Sequence, residues 1–119
     1  MKKSWDIWEI IAIEYLKKNW YQLLDTNFKF SIFWEIDLIL KKDDLTIFVE
    51  VKYRKNDKFW TGEESISSSK LAKLEKTVYY YAFWHHIDIE KIRFDIISIT
   101  RWEKSYTLIH YKNQAFQKK

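Results

Sequence analysis

The stretch from Phe33 to Arg54 limits the fold more than any other part of this chain. It reads FWEIDLIL, then KKDDLT, then IFVEVKYR: two strand-like apolar runs around a short polar turn. Side chains alternate across a strand with a period of two residues. Glu35 and Asp37 are therefore expected to face one way, with Ile36, Leu38 and Leu40 opposite. In the second run Phe48, Glu50 and Lys52 share a face opposite Ile47, Val49 and Val51. Acidic residues and lysine are poor strand formers, so several of them on one sheet require a reason.

The flanking sequence supplies partners for this hairpin. Ser4 is a candidate N-cap for a helix over Trp5–Asn19, with Asp6 suited to the positive end of its dipole. On a helical wheel Trp5, Trp8, Ala12, Ile13 and Leu16 form a broad apolar arc, and Glu9 falls among them. A carboxylate there needs a partner, a nearby cation or a place at the rim of a cleft. A strand over Trp20–Phe30, bent near Asp25–Asn27, precedes strands over Ile32–Lys41 and Leu45–Arg54 in an antiparallel meander. After a polar loop, Leu71, Leu74, Val78, Tyr81 and Ala82 mark the buried stripe of a helix over Ser69–His85. Strands over Ile92–Thr100 and Tyr106–Tyr111 follow, and the intervening helix implies a crossover and a parallel pairing. The expected class is α/β (α+β), with a central mixed sheet flanked by helices in the order αβββαββ. Residues 1–111 are read as one domain and residues 112–119 as a basic tail.

Size and composition fit that reading. A chain of 119 residues, 47% hydrophobic and 32% charged, has room for one core and is not of disordered composition. It holds no cysteine, which removes disulfides and thiolate metal sites and suits a reducing, cytoplasmic setting. Asp6, Glu9 and Glu14 interrupt the apolar start, so no leader is expected there, and no apolar run reaches the roughly 18 residues of a membrane span. The net charge of +4 permits a polyanionic partner. Arg54, Lys55 and Lys58, just beyond the hairpin, and Lys70 on the second helix are candidate nucleic-acid contacts, although such lysines also serve as ordinary solvated surface.

The chemistry centres on Asp37, Glu50 and Lys52. Mg²⁺ prefers oxygen ligands and needs only one or two carboxylates. Asp37 and Glu50 on adjacent strands suit such an ion, with the carbonyl of Val51 as a third ligand. Lys52 would then present a point charge to a phosphate oxygen or an attacking water. Cross-strand ion pairing on a solvated face is the plainer alternative. His85, His86 and His110 lack zinc-like spacing and are assigned to the surface or to helix ends. The run YYYAFW at 79–84 is assigned to core packing, with base stacking as the alternative.

These motifs carry a resemblance. WEIDLI at Trp34–Ile39 and IFVEVKYR at Ile47–Arg54 resemble the GEIDLI and VFVEVKxR motifs of the YraN-like bacterial proteins. Trp5, Trp8, Glu9, Ala12, Tyr15 and Leu16 follow that family's GxxGExxAxxYL helix, and Tyr21, Leu23, Leu24, Asn27 and Lys29 its GYxIL and NxR elements. Phe59, Trp60 and Glu64 match FGxxxE; Lys70, Leu74 and Tyr81 match its second helix; Arg93–Asp95 match an RFDVV-type strand. The resemblance implies a restriction-endonuclease-like (PD-(D/E)XK) fold, distantly related to archaeal Holliday-junction resolvases. It implies Glu9, Asp37, Glu50 and Lys52 as the catalytic set, Glu35 as a supporting carboxylate, and Mg²⁺, or Mn²⁺ in its place, as cofactor. The expected activity is hydrolysis of DNA phosphodiester bonds, on branched or single-stranded substrates, by a homodimer if the analogy with resolvases holds. The alternatives are a catalytically silent nucleic-acid-binding or protein-interaction module of the same fold, and a structural domain whose acids merely pair with lysines.

One departure is systematic. Trp5, Trp8, Trp20, Trp34 and Trp60 all stand where the family pattern has glycine. Average usage of roughly 7% predicts about eight glycines in such a chain, yet it has one glycine and seven tryptophans. We read the five positions as UGA codons translated here as tryptophan, which the source organism would decode as glycine.

Overall fold

The computed structural model describes residues 6–30, 34–55 and 68–114. Helix α1 (Ile7–Lys18) leads into strands β1 (Gln22–Lys29), β2 (Glu35–Lys42) and β3 (Leu45–Lys55). Helix α2 (Ser68–Trp84), a 3₁₀ turn at Ile89–Lys91, and strands β4 (Ile92–Arg101) and β5 (Tyr106–Tyr111) complete the chain. The five strands lie in one sheet in the order β1-β2-β3-β4-β5. All neighbours are antiparallel except β3 and β4, which run parallel from Thr46 opposite Ile92 to Lys55 opposite Arg101. The expected mixed sheet and element order are present, and the architecture is compatible with a restriction-endonuclease-like fold.

Each helix covers one face of the sheet. Ala12, Ile13 and Leu16 of α1 pack on Leu38, Leu40, Ile47, Val49, Ile97 and Ile99. Leu74, Val78 and Tyr81 of α2 pack on Ile36, Ile39, Phe48, Phe94 and Ile96. The alternation expected of β3 holds throughout. In β2 it fails at one point, because Ile36 joins the α2 side with Ile39 while Leu38 and Leu40 face α1. Asn27, opposite this point on β1, has φ 51°, and the β1–β2 ladder shifts register between Leu23 and Asp25.

The glycine-poor turns are made in an unusual way. Among the described residues Trp20, Asn27, Asp43, His86 and Asn113 hold positive φ. Asn, Asp and His tolerate the left-handed region better than other non-glycine residues, so four of these five have a ready explanation. Trp20 does not. It follows the C-cap Asn19, with φ 72°, donating to the Lys17 carbonyl at 3.1 Å while Tyr21 N–H donates to the Leu16 carbonyl at 3.0 Å. That is the Schellman arrangement, in which the left-handed residue is usually glycine.

Element ends differ from the sequence reading for local reasons. Asp6 itself caps α1, its carboxylate accepting from Trp8 N–H at 3.0 Å; Ser4 and Trp5 lie outside the described residues. β1 begins at Gln22 because Trp20 and Tyr21 are used in closing α1. The hairpin turn narrows to Asp43–Asp44, and Lys42 pairs with Leu45. Past β5 the backbone stays attached: Asn113 N–H donates to Asp95 at 2.9 Å and Gln114 N–H to the Phe94 carbonyl at 2.7 Å. No described helix is long and apolar enough to cross a membrane.

Candidate active site

The site forms where the β2–β3 ladder stops. Pairing runs from Lys42–Leu45 to Leu38–Val49, and the next residue of β2 is Asp37. Its Oδ2 accepts from Val51 N–H at 2.8 Å, so the carboxylate serves the backbone donor that β2 no longer reaches. This fixes Asp37 between the strands. Glu50 lies beside it, sharing the Phe48 and Lys52 face of β3.

Other elements converge on the pair. From α1, Glu9 approaches Asp37, and its Oε2 accepts from Asn27 Nδ2 at 3.3 Å. Asn27, the positive-φ residue of β1, is thus a partner of the kind that the Glu9 carboxylate was expected to need. From the start of β2, Trp34 Nε1 donates to Glu50 Oε1 at 3.2 Å. From α2, Lys70 Nζ sits 5.5 Å above the centre of the Trp34 ring.

The electrostatics follow from this crowding. Burial pushes Asp37 up to about 8, Glu50, Glu9 and Glu35 push it the same way, and the Val51 N–H opposes them. Burial also raises Glu50, assisted by Glu35, while the Trp34 indole, Lys52 and Lys70 pull it down. Asp37 is therefore crowded by three other carboxyls in half-buried surroundings, with two lysines within electrostatic range of Glu50. The donor set is all oxygen, as a hard divalent cation prefers, and a cation there would relieve the repulsion. Among the described residues no three His, Asp or Glu side chains close round one point, so the main-chain carbonyl and waters would have to complete any coordination shell.

The sequence-predicted residues divide clearly. Glu9, Glu35, Asp37, Glu50, Lys52 and Lys70 act on one another at a single place. Arg54 and Lys55 continue β3 beyond them, Arg54 half-buried and Lys55 exposed. Lys58 and Trp60 lie outside the described residues. Trp8 covers the α1 side, stacked on Tyr53 at 4.3 Å with an interplanar angle of 13°.

The sequence reading missed a second polar cluster. Asp95, fully buried in β4, accepts from Arg93 at 2.9 and 2.7 Å, from His110 Nε2 at 2.7 Å and from Asn113 N–H. His110 Nδ1 in turn meets the Tyr15 hydroxyl at 2.9 Å, and Arg93 donates to the Tyr21 hydroxyl at 2.9 Å. His110 is thus an interior residue and not the surface histidine its isolation in sequence suggested. The available signal was Asp95 itself, a carboxylate inside a nearly continuous apolar strand.

Comparison with known proteins places the chain. The profile of the uncharacterised protein family UPF0102 matches residues 8–99, which include every element from α1 through most of β4. The chain belongs to the UPF0102 family. A UPF0102 protein of Clostridium beijerinckii is 40% identical over 110 residues, spanning 92% of this chain and 89% of its own. One from Vibrio parahaemolyticus is 39% identical over 93 residues, spanning 77% and 76%. One from Flavobacterium psychrophilum is 33% identical over 108 residues, spanning 91% and 89%. The UPF0102 match spans both the WEIDLI and IFVEVKYR stretches, and with them the Asp37–Glu50 centre.

Proposed function

We propose that this chain is a Mg²⁺-dependent endonuclease, with Mn²⁺ able to substitute, of the restriction-endonuclease-like superfamily. The observation that carries the reading is Asp37 wedged where β2 leaves β3, its carboxylate on Val51 N–H, with Glu50 beside it and Lys52 two residues on. Asp37, Glu50 and the Val51 carbonyl would hold the ion, which would supply charge neutralisation at the phosphate and a more acidic water. Lys52 presents its ammonium on the Glu50 face, where it stabilises charge developing on a non-bridging phosphate oxygen. Glu9, held by Asn27, orients the attacking water from the α1 side. Glu35 adds negative field that favours occupancy by a cation. Arg54 and Lys55 extend the positive surface along β3 toward a DNA backbone.

A second reading is favoured by one contact. The Trp34 indole occupies Glu50 Oε1, placing a large side chain directly against a proposed cation ligand. With tryptophan at this position the same fold could serve as a binding module without cleavage. Incubation with linear, single-stranded and four-way-junction DNA in Mg²⁺ or Mn²⁺ separates the two readings. Cleavage should vanish in Asp37→Asn and in Lys52→Ala, with DNA binding retained. Cleavage that survives both substitutions would remove these residues from the chemistry.

A further inference from the structure

The outward face of α2 carries features that the site leaves unused. The aromatic run at 79–84 does not simply pack the core as its helical spacing suggested. Tyr81 and Ala82 are buried, but Tyr79, Phe83 and Trp84 are 44%, 71% and 60% exposed. Tyr80 is half-buried and stacks on Phe30, with ring centres 3.5 Å apart and planes 12° apart. Trp84 lies 6.1 Å from Tyr80, and Phe83 meets Trp84 edge-on at 5.4 Å. Phe30, Tyr80, Trp84 and Phe83 thus form one run of ring contacts along the helix, with Phe83 and Trp84 as its exposed end.

The first half of the same face is basic. Lys70, Lys73 and Lys76 are all exposed. At about 100° per residue, Lys73, Lys76, Tyr80 and Phe83 fall in one arc opposite the buried Leu74 and Val78. Lys70, about 60° round the helix from Lys73, stands over Trp34, so the first turn of α2 connects this stripe to the candidate site. A rise of about 1.5 Å per residue puts Lys70 and Trp84 roughly 21 Å apart, a stacked run on the order of six nucleotides.

We propose that this stripe is a track for single-stranded nucleic acid. Lys70, Lys73 and Lys76 take the phosphates next to the site, and the exposed Phe83 and Trp84 rings stack the unpaired bases that follow. Charge selects a polyanion, and open aromatic faces select bases that a duplex keeps covered. The proposal rests on the nuclease reading only for what lies at the Lys70 end, namely the phosphate to be cut; binding along the helix is a separate property. It makes a strand with an unpaired flank, as at a fork or a resected end, the substrate class.

The test measures binding without cleavage, by fluorescence anisotropy of labelled dT10 and of a ten-base-pair duplex in EDTA, on the Asp37→Asn background. Phe83→Ala with Trp84→Ala should weaken dT10 binding about tenfold or more and leave duplex binding within about twofold. Lys73→Ala with Lys76→Ala should lower the log–log salt slope for dT10 by about 1.4, the value for two lost phosphate contacts. Both pairs are surface residues, and an unchanged melting temperature shows that each variant is folded. The proposal is overturned if dT10 binding ignores the aromatic pair. It is also overturned if that pair changes the molecular mass in light scattering while dT10 affinity stays the same, because the platform is then an interface between copies. Strong, platform-dependent binding without metal-dependent cleavage in the parent chain would overturn the nuclease reading alone and support this one.

Discussion

Trp20 holds a backbone conformation that its side chain resists. In the left-handed region the Cβ crowds the carbonyl, at a cost of roughly 1–2 kcal/mol for residues other than glycine, asparagine and aspartate. The ring gains little in return, being 85% exposed. Trp20→Gly should therefore stabilise the chain by about 1 kcal/mol, seen as a higher urea midpoint at unchanged slope. Trp8 and Trp34 are not among the positive-φ residues, so geometry asks for glycine only at position 20 among those described. Mass spectrometry of the protein purified from its own host gives the mass at all five positions; tryptophan there would end the UGA reading. At Trp34 the consequence is chemical, because glycine would release Glu50 Oε1 from its indole partner. Trp34→Gly should strengthen Mg²⁺ binding, measured by calorimetry, and unchanged affinity would show that the indole does not compete with a cation. Asp37 sets a pH signature. Its pKa of about 8 stands above the ordinary 3.8, so between those values the folded chain holds more protons than the unfolded one. Stability then falls as pH rises through that window. Melting temperature in EDTA should decline from pH 5 to pH 8, and Asp37→Asn should flatten most of the decline.

The buried Asp95 cluster ties together elements from opposite ends of the chain. It joins α1 through Tyr15, the end of α1 through Tyr21, β4 through Arg93 and β5 through His110. Burial alone would raise the Asp95 carboxyl, but hydrogen bonds from His110, Arg93 and Asn113 N–H outweigh it and hold the pKa below its usual value. The sign is opposite to that of Asp37. Asp95 contributes stability above the ordinary carboxyl pKa, and that contribution is lost as pH falls through the depressed value. Asp95→Ala leaves the half-buried Arg93 and the interior His110 without their shared carboxylate and should cost about 3–5 kcal/mol. Chemical denaturation checks this, and a loss under about 1 kcal/mol would mean that water replaces the carboxylate. The exposed Lys91–Asp44 pair, at 2.8 Å, is the internal comparison. Lys91→Ala there should leave the denaturation midpoint close to unchanged, because both partners are well solvated in either state.

At the scale of the whole molecule, what could be read from the sequence depended on how local each cause was. The layers were legible because Leu38, Leu40, Ile47 and Val49 repeat with strand period, and Leu74, Val78 and Tyr81 with helix period. The parallel β3–β4 pair was legible because a helix separates the strands. The carboxylates Asp37 and Glu50 stood out as misfits in apolar runs. The outward rings on α2 were obscured because five aromatics in six residues (79–84) spread round every face of a helix until the sheet fixes which side is covered. The His110 contacts were hidden because Tyr15, Asp95 and His110 meet only through tertiary folding. The two ends of the site, likewise, come from α1 and β3, so a cation bound there would tie together elements distant in sequence. Ligand bound only by the folded state stabilises it by RT ln(1 + [L]/Kd), about 2.7 kcal/mol at a hundredfold excess over Kd. Because protons compete for Asp37, this stabilisation should grow as pH rises toward and past about 8, opposing the decline expected in EDTA. Melting curves in saturating Mg²⁺ and in EDTA should therefore diverge with pH for the parent chain and coincide for Asp37→Asn. Parent curves that coincide throughout would leave the four carboxylates without a cation and reduce the site to a strained, charge-repelling cleft.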